Sequence, residues 1–145
     1  MGKIKIVIGS DHAGYQCKEK MKEHLLNGDF EVEDIGPKTP DSVDYPDYAH
    51  PLAIIVENKK ADVGILVCGS GNGMAMAANK HAGIRAALCW SEEIAKMARL
   101  HNDANILCVP ARFIDFETIT RMINIFLSTS FEGGRHQPRV NKISC

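Results

Sequence analysis

Val63-Gly64-Ile65-Leu66-Val67-Cys68-Gly69-Ser70-Gly71-Asn72-Gly73 is the stretch that decides the fold. Val63 to Val67 is continuously apolar and is bounded by glycines on its far side. Such a run reads as a strand buried on both faces, hence central in a parallel sheet. Cys68 ends it, and Gly69, Gly71 and Gly73 follow at alternating positions before a helix-like segment from Met74 to Asn79. A glycine-rich turn lets backbone N–H groups close on a ligand without interference from Cβ. The helix behind it aims its positive end at the same place. The stretch therefore builds a cradle for an anion with a thiol at its lip. It suits a phosphate, or an oxyanion stabilised while a thiolate does chemistry.

Outward from this run, strands and helices alternate. Lys3–Ile8 reads as the first strand and Gly14–Leu26 as a helix, with Tyr15, Lys18, Met21 and Leu25 at helical spacing. Phe30–Ile35 is a short strand, Gly36–Asp41 a loop, and Tyr45-Pro46-Asp47 leads into a helix ending near Asn58. Ile84–Leu88 is a strand, and Ser91–Leu100 a helix with Ser91 as N-cap and Glu93 in its first turn. Ile106–Val109 is the last strand, and Asp115–Leu127 a helix with Ile119, Met122, Ile123 and Phe126 on one face. A tail from Phe131 to Cys145 follows. Alternating units of this kind predict a single domain over residues 1–145: a doubly wound α/β fold, Rossmann-like, with a five-stranded parallel sheet and helices on both faces. Ligands in such folds sit at the carboxyl ends of the strands. That rule selects the loops at Gly9-Ser10-Asp11-His12, at Cys68 to Gly73 and at Pro110-Ala111-Arg112.

Composition narrows the function classes. Of 145 residues, 45% are hydrophobic and 24% charged, with a formal net charge of −1, so nothing suggests a nucleic-acid footprint or a polybasic membrane patch. No apolar run approaches the roughly 20 residues that span a bilayer. The chain begins directly in a strand with no signal-peptide pattern, and its five cysteines, Cys17, Cys68, Cys89, Cys108 and Cys145, have no regular spacing. A cytoplasmic location and reduced thiols are the expectation. No C-x-x-C or H-E-x-x-H occurs, so no strong metal motif is present.

Each chemistry-bearing residue also has a plainer reading. The glycines could be a tight strand-to-helix turn; they are neither the dinucleotide fingerprint nor a phosphate-binding G-x-x-x-x-G-K-[ST]. Cys68 could be an inert core thiol, but a nearby helix N-terminus is expected to lower its pKa, and Ser70 could hydrogen-bond it. Asp11-His12 serves equally as a helix cap or as proton-transfer groups near sugar oxygens. His101 could support a helix C-terminus and Asn102 could cap it. Arg135 and Arg139, four apart with His136 between them, read as a solvated basic tail or as a phosphate clamp.

Taken together, these residues resemble the B-type ribose-5-phosphate isomerases and the wider group that includes the subunits of galactose-6-phosphate isomerase. The resemblance covers nearly the whole chain. Its motifs stand here as Gly9-Ser10-Asp11-His12-Ala13-Gly14, Asp44-Tyr45-Pro46, Cys68 to Gly73, Ala77-Ala78-Asn79-Lys80, Gly83-Ile84-Arg85-Ala86, His101-Asn102-Asp103-Ala104-Asn105 and Glu132-Gly133-Gly134-Arg135-His136. The resemblance implies interconversion of ribose 5-phosphate and ribulose 5-phosphate through an enediolate, with no metal or organic cofactor. Cys68 would be the base; some members instead place a glutamate just past the glycine loop, where this chain reads Gly73-Met74. His101 would assist ring opening with Asp11 nearby, and Ser70 would orient the thiol. The backbone of Gly69, Ser70, Gly71, Asn72 and Gly73 would hold the enediolate oxygen. His12, Arg112, Arg135 and Arg139 would bind phosphate, Asn102 a sugar hydroxyl, and Tyr45 would face the substrate. The resemblance further implies a homodimer or tetramer with a site shared between chains. Asn102 and Arg112 would come from the second chain, and the tail 131–145 would complete the site or the dimer.

Three other readings compete. An isomerase of allose or galactose 6-phosphate would keep the mechanism and change the substrate. A non-catalytic nucleotide-binding module is disfavoured because both nucleotide fingerprints are missing. A thiol redox protein is disfavoured by the lack of a resolving cysteine beside Cys68.

Overall fold

Apolar runs become the middle of the sheet. In the computed structural model, which describes residues 2–145, β1 (Ile4–Ser10), β3 (Val63–Cys68) and β5 (Ile106–Pro110) are buried along nearly their whole length. β2 (Phe30–Asp34) alternates exposed and half-buried residues, and β4 (Ala86–Leu88) is half-buried throughout, as edge strands should be. All pairs are parallel, and the order is β2-β1-β3-β5-β4. The doubly wound α/β class read from the sequence is the observed one.

Five longer helices cover the sheet: α1 (Tyr15–Leu26), α2 (Pro46–Glu57), α3 (Asn72–Ala78), α4 (Glu92–Asn102) and α5 (Phe116–Ser128). Alternate residues of each central strand feed opposite cores. Ile6, Ile8, Ile65, Val67, Leu107 and Val109 pack beneath α1, α4 and α5. Val7, Leu66, Cys68, Ile106 and Cys108 pack beneath α2 and α3. The chain leaves β1 toward β2 and leaves β3 toward the other side of the sheet. The crevice between the carboxyl ends of β1 and β3 is therefore a topological switch point, where such sheets bind ligands.

Local rules set the boundaries. Ser91 Oγ accepts the N–H of Ile94, and Asp115 Oδ1 accepts that of Thr118, so α4 and α5 begin with side-chain caps. β1 runs two residues past Ile8, which takes Gly9 and Ser10 into the strand. β4 starts at Ala86 rather than Ile84, because the Arg85 N–H is taken by Asn105 Oδ1 at 2.8 Å. α4 continues through His101 and Asn102, and Asp103 at φ 48° ends it, so Asn102 is not the cap. The tail forms a 3-10 turn at Gly134–His136 and the short α6 (Gln137–Asn141), with Pro138 in its first turn. Among the described residues, no helix is long and apolar enough to cross a membrane.

One charge is fully inside. Lys18 of α1 is 0% exposed, and its Nζ lies 2.7 Å from Asp34 Oδ2 and 2.8 Å from Glu19 Oε1. The partnership holds the Asp34 carboxyl below the usual range against its own burial, and raises Lys18 likewise. The ion pair ties α1 to the end of β2, beside the loop that frames the crevice.

Candidate active site

The site starts from Cys68, the last residue of β3 and 5% exposed. The chain turns sharply after it. Gly71 sits at φ 77°, a left-handed conformation that L side chains rarely adopt, and becomes the N-cap of α3. The turn brings the Gly71 N–H to 3.1 Å from Cys68 Sγ, to which it donates. Burial pushes the Cys68 thiol above its ordinary pKa; backbone N–H groups of Met74, Gly71 and Ser70 oppose that, and the Asp11 carboxylate adds to it. The expected net lowering by the helix terminus is therefore reversed: the desolvation of a thiolate here outweighs the donors at the start of α3.

Ser70 does not hold the thiol. Its Oγ accepts the Asn72 N–H at 3.3 Å, and the residue is exposed. The orienting group on Sγ is backbone, and Ser70 Oγ keeps its own proton to donate.

Three other loops close on this turn. The Asp11 N–H donates to the Val67 carbonyl at 3.2 Å, stitching the end of β1 to that of β3. Asp11 is 8% exposed, and its Oδ1 accepts the Gly14 N–H at 3.0 Å ahead of α1. The carboxylate thus closes the turn into the helix and also borders the thiol. The His12 Nδ1 lies 3.2 Å from the Val43 nitrogen and 3.3 Å from its oxygen, which leaves Nε2 free for a ligand. After β5, the Ala111 N–H donates to the Cys68 carbonyl and the Arg112 N–H to that of Gly69. The Arg112 stem lies against Gly69, where an added Cβ would meet its Cδ at 3.1 Å. Tyr45, ahead of α2, lays its ring over Gly73; a Cβ there would stand 2.6 Å from the ring.

These groups line one cleft of about 450 Å³, in which Asp11, His12, Tyr45, Cys68, Gly69, Ser70, Gly73 and Arg112 meet. It offers a thiol, a carboxylate, an imidazole, a guanidinium and a backbone cradle. That set can move a proton on a polar, anionic small molecule and stabilise the negative charge that develops.

Gly71 and Asn72 form the cap and first residue of α3 directly behind this cleft, whereas His101, Asn102, Arg135 and Arg139 lie elsewhere on the chain. His101 is in the last turn of α4, which runs back from the carboxyl end of β4 to the start of β5. Its 11 residues put that turn at the far end of the sheet from Cys68, about 16 Å along the helix. Asn102 lines a separate cavity of about 480 Å³ beside Ile84 and Ile143. The tail packs at this same end: the Glu132 N–H donates to the Leu100 carbonyl, and the His136 ring stacks on His101 at 4.2 Å between centroids. Arg135 and Arg139 are exposed beside them, with Arg139 Nη1 donating to the Arg135 carbonyl.

The chain matches the model of the Ribose/Galactose Isomerase family over residues 6–143. It belongs to that family. The ribose-5-phosphate isomerase B of Escherichia coli is 41% identical over 140 residues, covering 97% of this chain and 94% of its own. A ribose 5-phosphate isomerase of Thermotoga maritima has a crystal structure that superposes with a TM-score of 0.96, at 50% identity over 97% of each chain. The ribose-5-phosphate isomerase B of Mycoplasma genitalium, solved with bound ribulose-5-phosphate, superposes with a TM-score of 0.94 at 45% identity, over 99% of this chain and 95% of that one.

Within this family frame, one placement differs from expectation and one residue was not expected at all. Arg112 stands in the cleft of its own chain, because the backbone after β5 is hydrogen-bonded to the Cys68–Gly69 turn; no second chain is needed to put it there. Phe113, on the rim of the same cleft and 75% exposed, was not singled out from the sequence. Its signal was available: it follows Arg112 directly in a loop already selected by the strand-end rule.

Proposed function

We propose that this chain is an aldose–ketose isomerase that interconverts ribose 5-phosphate and ribulose 5-phosphate through a 1,2-enediolate, without a cofactor. Membership of the isomerase family and the relatives named for this reaction support the reaction class. The observation that carries the mechanism is the Gly71 N–H on Cys68 Sγ at 3.1 Å, in a cleft that also presents Asp11 and His12.

Cys68 as thiolate removes the proton from C2 of the open-chain aldose. The electron pair moves onto the carbonyl oxygen at C1, and the backbone N–H groups from Gly69 to Gly73 hold the enediolate. The thiol then returns the proton to C1, and the hydroxyl proton passes from O2 to O1, leaving the ketose. A proton α to a carbonyl is only weakly acidic, so stabilising the oxyanion as it forms is the decisive contribution; one such donor is worth about 10²–10³ in rate. Tyr45 covers the sugar, Ser70 donates to a substrate oxygen, and His12 with Arg112 holds the phosphate from one side. Phosphate binding remote from the reacting carbons positions the substrate and lowers the barrier.

The active unit is at least a dimer. The site is completed by the His101 end of a second copy, which brings His101 for ring opening, Asn102 for a sugar hydroxyl, and Arg135 and Arg139 for the phosphate. The distance along α4 supports this division, since a chain's own His101 lies at the wrong end of the sheet. The test is turnover of ribose 5-phosphate in EDTA by the wild-type chain and by Cys68→Ala, with allose and galactose 6-phosphates alongside. Pentose turnover that vanishes in Cys68→Ala, while sugar phosphate still binds, is the expected result. Substantial activity left in that variant removes Cys68 as the base.

A further inference from the structure

We propose that His101, Glu132 and His136 form a binding site for a transition-metal ion of the Zn²⁺ class, and that its occupancy reversibly inhibits the isomerase by engaging His101. The inhibition rests on the role of His101 given above; the binding does not.

The three side chains bring donor atoms within 4.8 Å of one another. Two imidazoles and a carboxylate are the donor set that borderline-soft divalent ions take. Glu132 Oε1 stands 3.8 Å from His136 Nε2, too far for a hydrogen bond. Bonds of 2.0–2.1 Å in a tetrahedron place neighbouring donors about 3.3 Å apart, so binding draws the donors in by about 1.5 Å at most and turns the half-buried His101 ring out of its stack on His136, which brings both lone pairs onto one ion. Glu132 is exposed and joined to His136 through Gly133 and Gly134, both at positive φ, so it has room to swing.

His136 gives the second, independent observation. The residue is 8% exposed, and among the described residues its Nε2 has neither a hydrogen-bond donor nor an acceptor. A buried imidazole nitrogen normally finds a partner, and the nearest polar group to this one is the Glu132 carboxylate at 3.8 Å. Arg135 and Arg139 stand exposed beside the cluster. Glu132 supplies the negative charge that offsets the two arginines. Three protein ligands leave a fourth position for water or a sugar oxygen.

The experiment titrates the EDTA-treated full-length protein, in its native assembly, with Zn²⁺ against a chromophoric chelator. One ion per chain is expected, with affinity falling more than about tenfold in Glu132→Gln and unchanged in Cys68→Ala. Glu132→Gln alters an exposed side chain, so it reads the site without the folding risk of His136→Ala. In the turnover assay, Zn²⁺ should inhibit the wild type, EDTA should restore it, and Glu132→Gln should escape at the same Zn²⁺ concentration. No saturable binding, binding indifferent to Glu132→Gln, or binding lost in Cys68→Ala overturns the site. Zinc bound with turnover unchanged overturns the inhibitory role. The titration reads binding with no substrate present, so failure of the isomerase reading and failure of the metal site are told apart.

Discussion

Replacing Gly71 by alanine separates a catalytic cradle from a mere turn. Gly71 holds φ 77°, and a Cβ there would collide with Leu88 Cδ1 and touch Val109 and Pro110 backbone at 3.4 Å. A left-handed non-glycine residue costs about 1–2 kcal/mol. Overpacking against Leu88 adds about 1–3 kcal/mol. The sum, about 2–5 kcal/mol, lowers Tm by roughly 8–20 °C in a chain of this size. Relief of either strain moves the Gly71 N–H away from Cys68 Sγ and disorders the neighbouring donors, so kcat should fall about 10²–10³-fold. Thermal unfolding followed by circular dichroism reads the first effect, and ribose 5-phosphate turnover well below Tm reads the second. The double variant with Leu88→Ala removes the collision but not the backbone strain; the rate should stay low. An unchanged Tm in Gly71→Ala would refute the left-handed turn. A lowered Tm with wild-type kcat would refute the cradle and leave only a structural bend.

The other predictions concern the thiol, the buried charge and the division of the site. Because the Cys68 thiol is held above its ordinary pKa and the proposed base is its thiolate, kcat/KM should climb with pH from 7 to 9, about tenfold per unit while the thiol remains mostly protonated. A profile flat over that range would exclude Cys68 as the titrating base. Lys18→Met leaves the half-buried Asp34 with Lys22 at 3.2 Å and the Gly36 N–H at 2.8 Å, and should cost at most about 3 kcal/mol in denaturant unfolding, the low end for a broken buried pair; a loss under about 1 kcal/mol would mean the pair contributes no more than a surface bridge. Cys68→Ala and His101→Ala should each be inactive alone, yet co-refolded in equal amounts they should recover about a quarter of the wild-type sites, because mixed dimers hold one intact site. No recovery would place both residues in one chain's site. Burial pushes Cys89 up to about 12 and Cys108 higher still, whereas unfolded thiols ionise near 8.5. The folded state then holds more protons at alkaline pH, so stability should fall above about pH 8.5, and a Cys89→Ala/Cys108→Ala variant should show a shallower fall.

The fold was legible because its strongest signals are local. Val63–Val67 and Ile106–Val109 are apolar throughout, and only a strand covered on both faces buries them; Ser91 and Asp115 announce helix starts that the structure bears out. Strand order was not legible, since the placement of β5 between β3 and β4 depends on which helix fits which face. The cleft half of the site followed from the strand-end rule, because Asp11, His12, Cys68 and Arg112 all end strands or follow them. The other half did not follow: nothing in the spacing of His101, Arg135 and Arg139 says that they share the opposite end of the molecule. That emerges only when α4 is known to run the length of the sheet and the tail is seen to dock on its last turn. The role of Ser70 was misjudged for a short-range reason. A serine two residues before a helix-starting N–H bonds that N–H before it reaches a thiol two residues back.

A raised thiol pKa sits uneasily with the thiolate base proposed above, and the fixed donors around Sγ are what limit the penalty. Each unit by which the pKa exceeds the ambient pH cuts the thiolate fraction tenfold, while base strength rises by less than tenfold, so burial alone slows the reaction. The charge must therefore be met by something that the free chain already holds in place. Three backbone N–H groups, of Gly71, Ser70 and Met74, lower the pKa and are held in place, because Met74 lies in α3 and the left-handed turn at Gly71 sets the other two. In the proposed mechanism these donors serve thiolate and enediolate in turn. When the proton moves from carbon to sulfur, the negative charge leaves Sγ and appears on the sugar oxygen beside the same cradle, so the field that stabilises the base is retained for the intermediate rather than rebuilt. Asp11 acts in the opposite sense, destabilising the thiolate and so favouring its protonation by C2. Fixed dipoles thus offset part of the cost that burial and Asp11 put on the thiolate, and in the proposed mechanism the same dipoles then meet the enediolate.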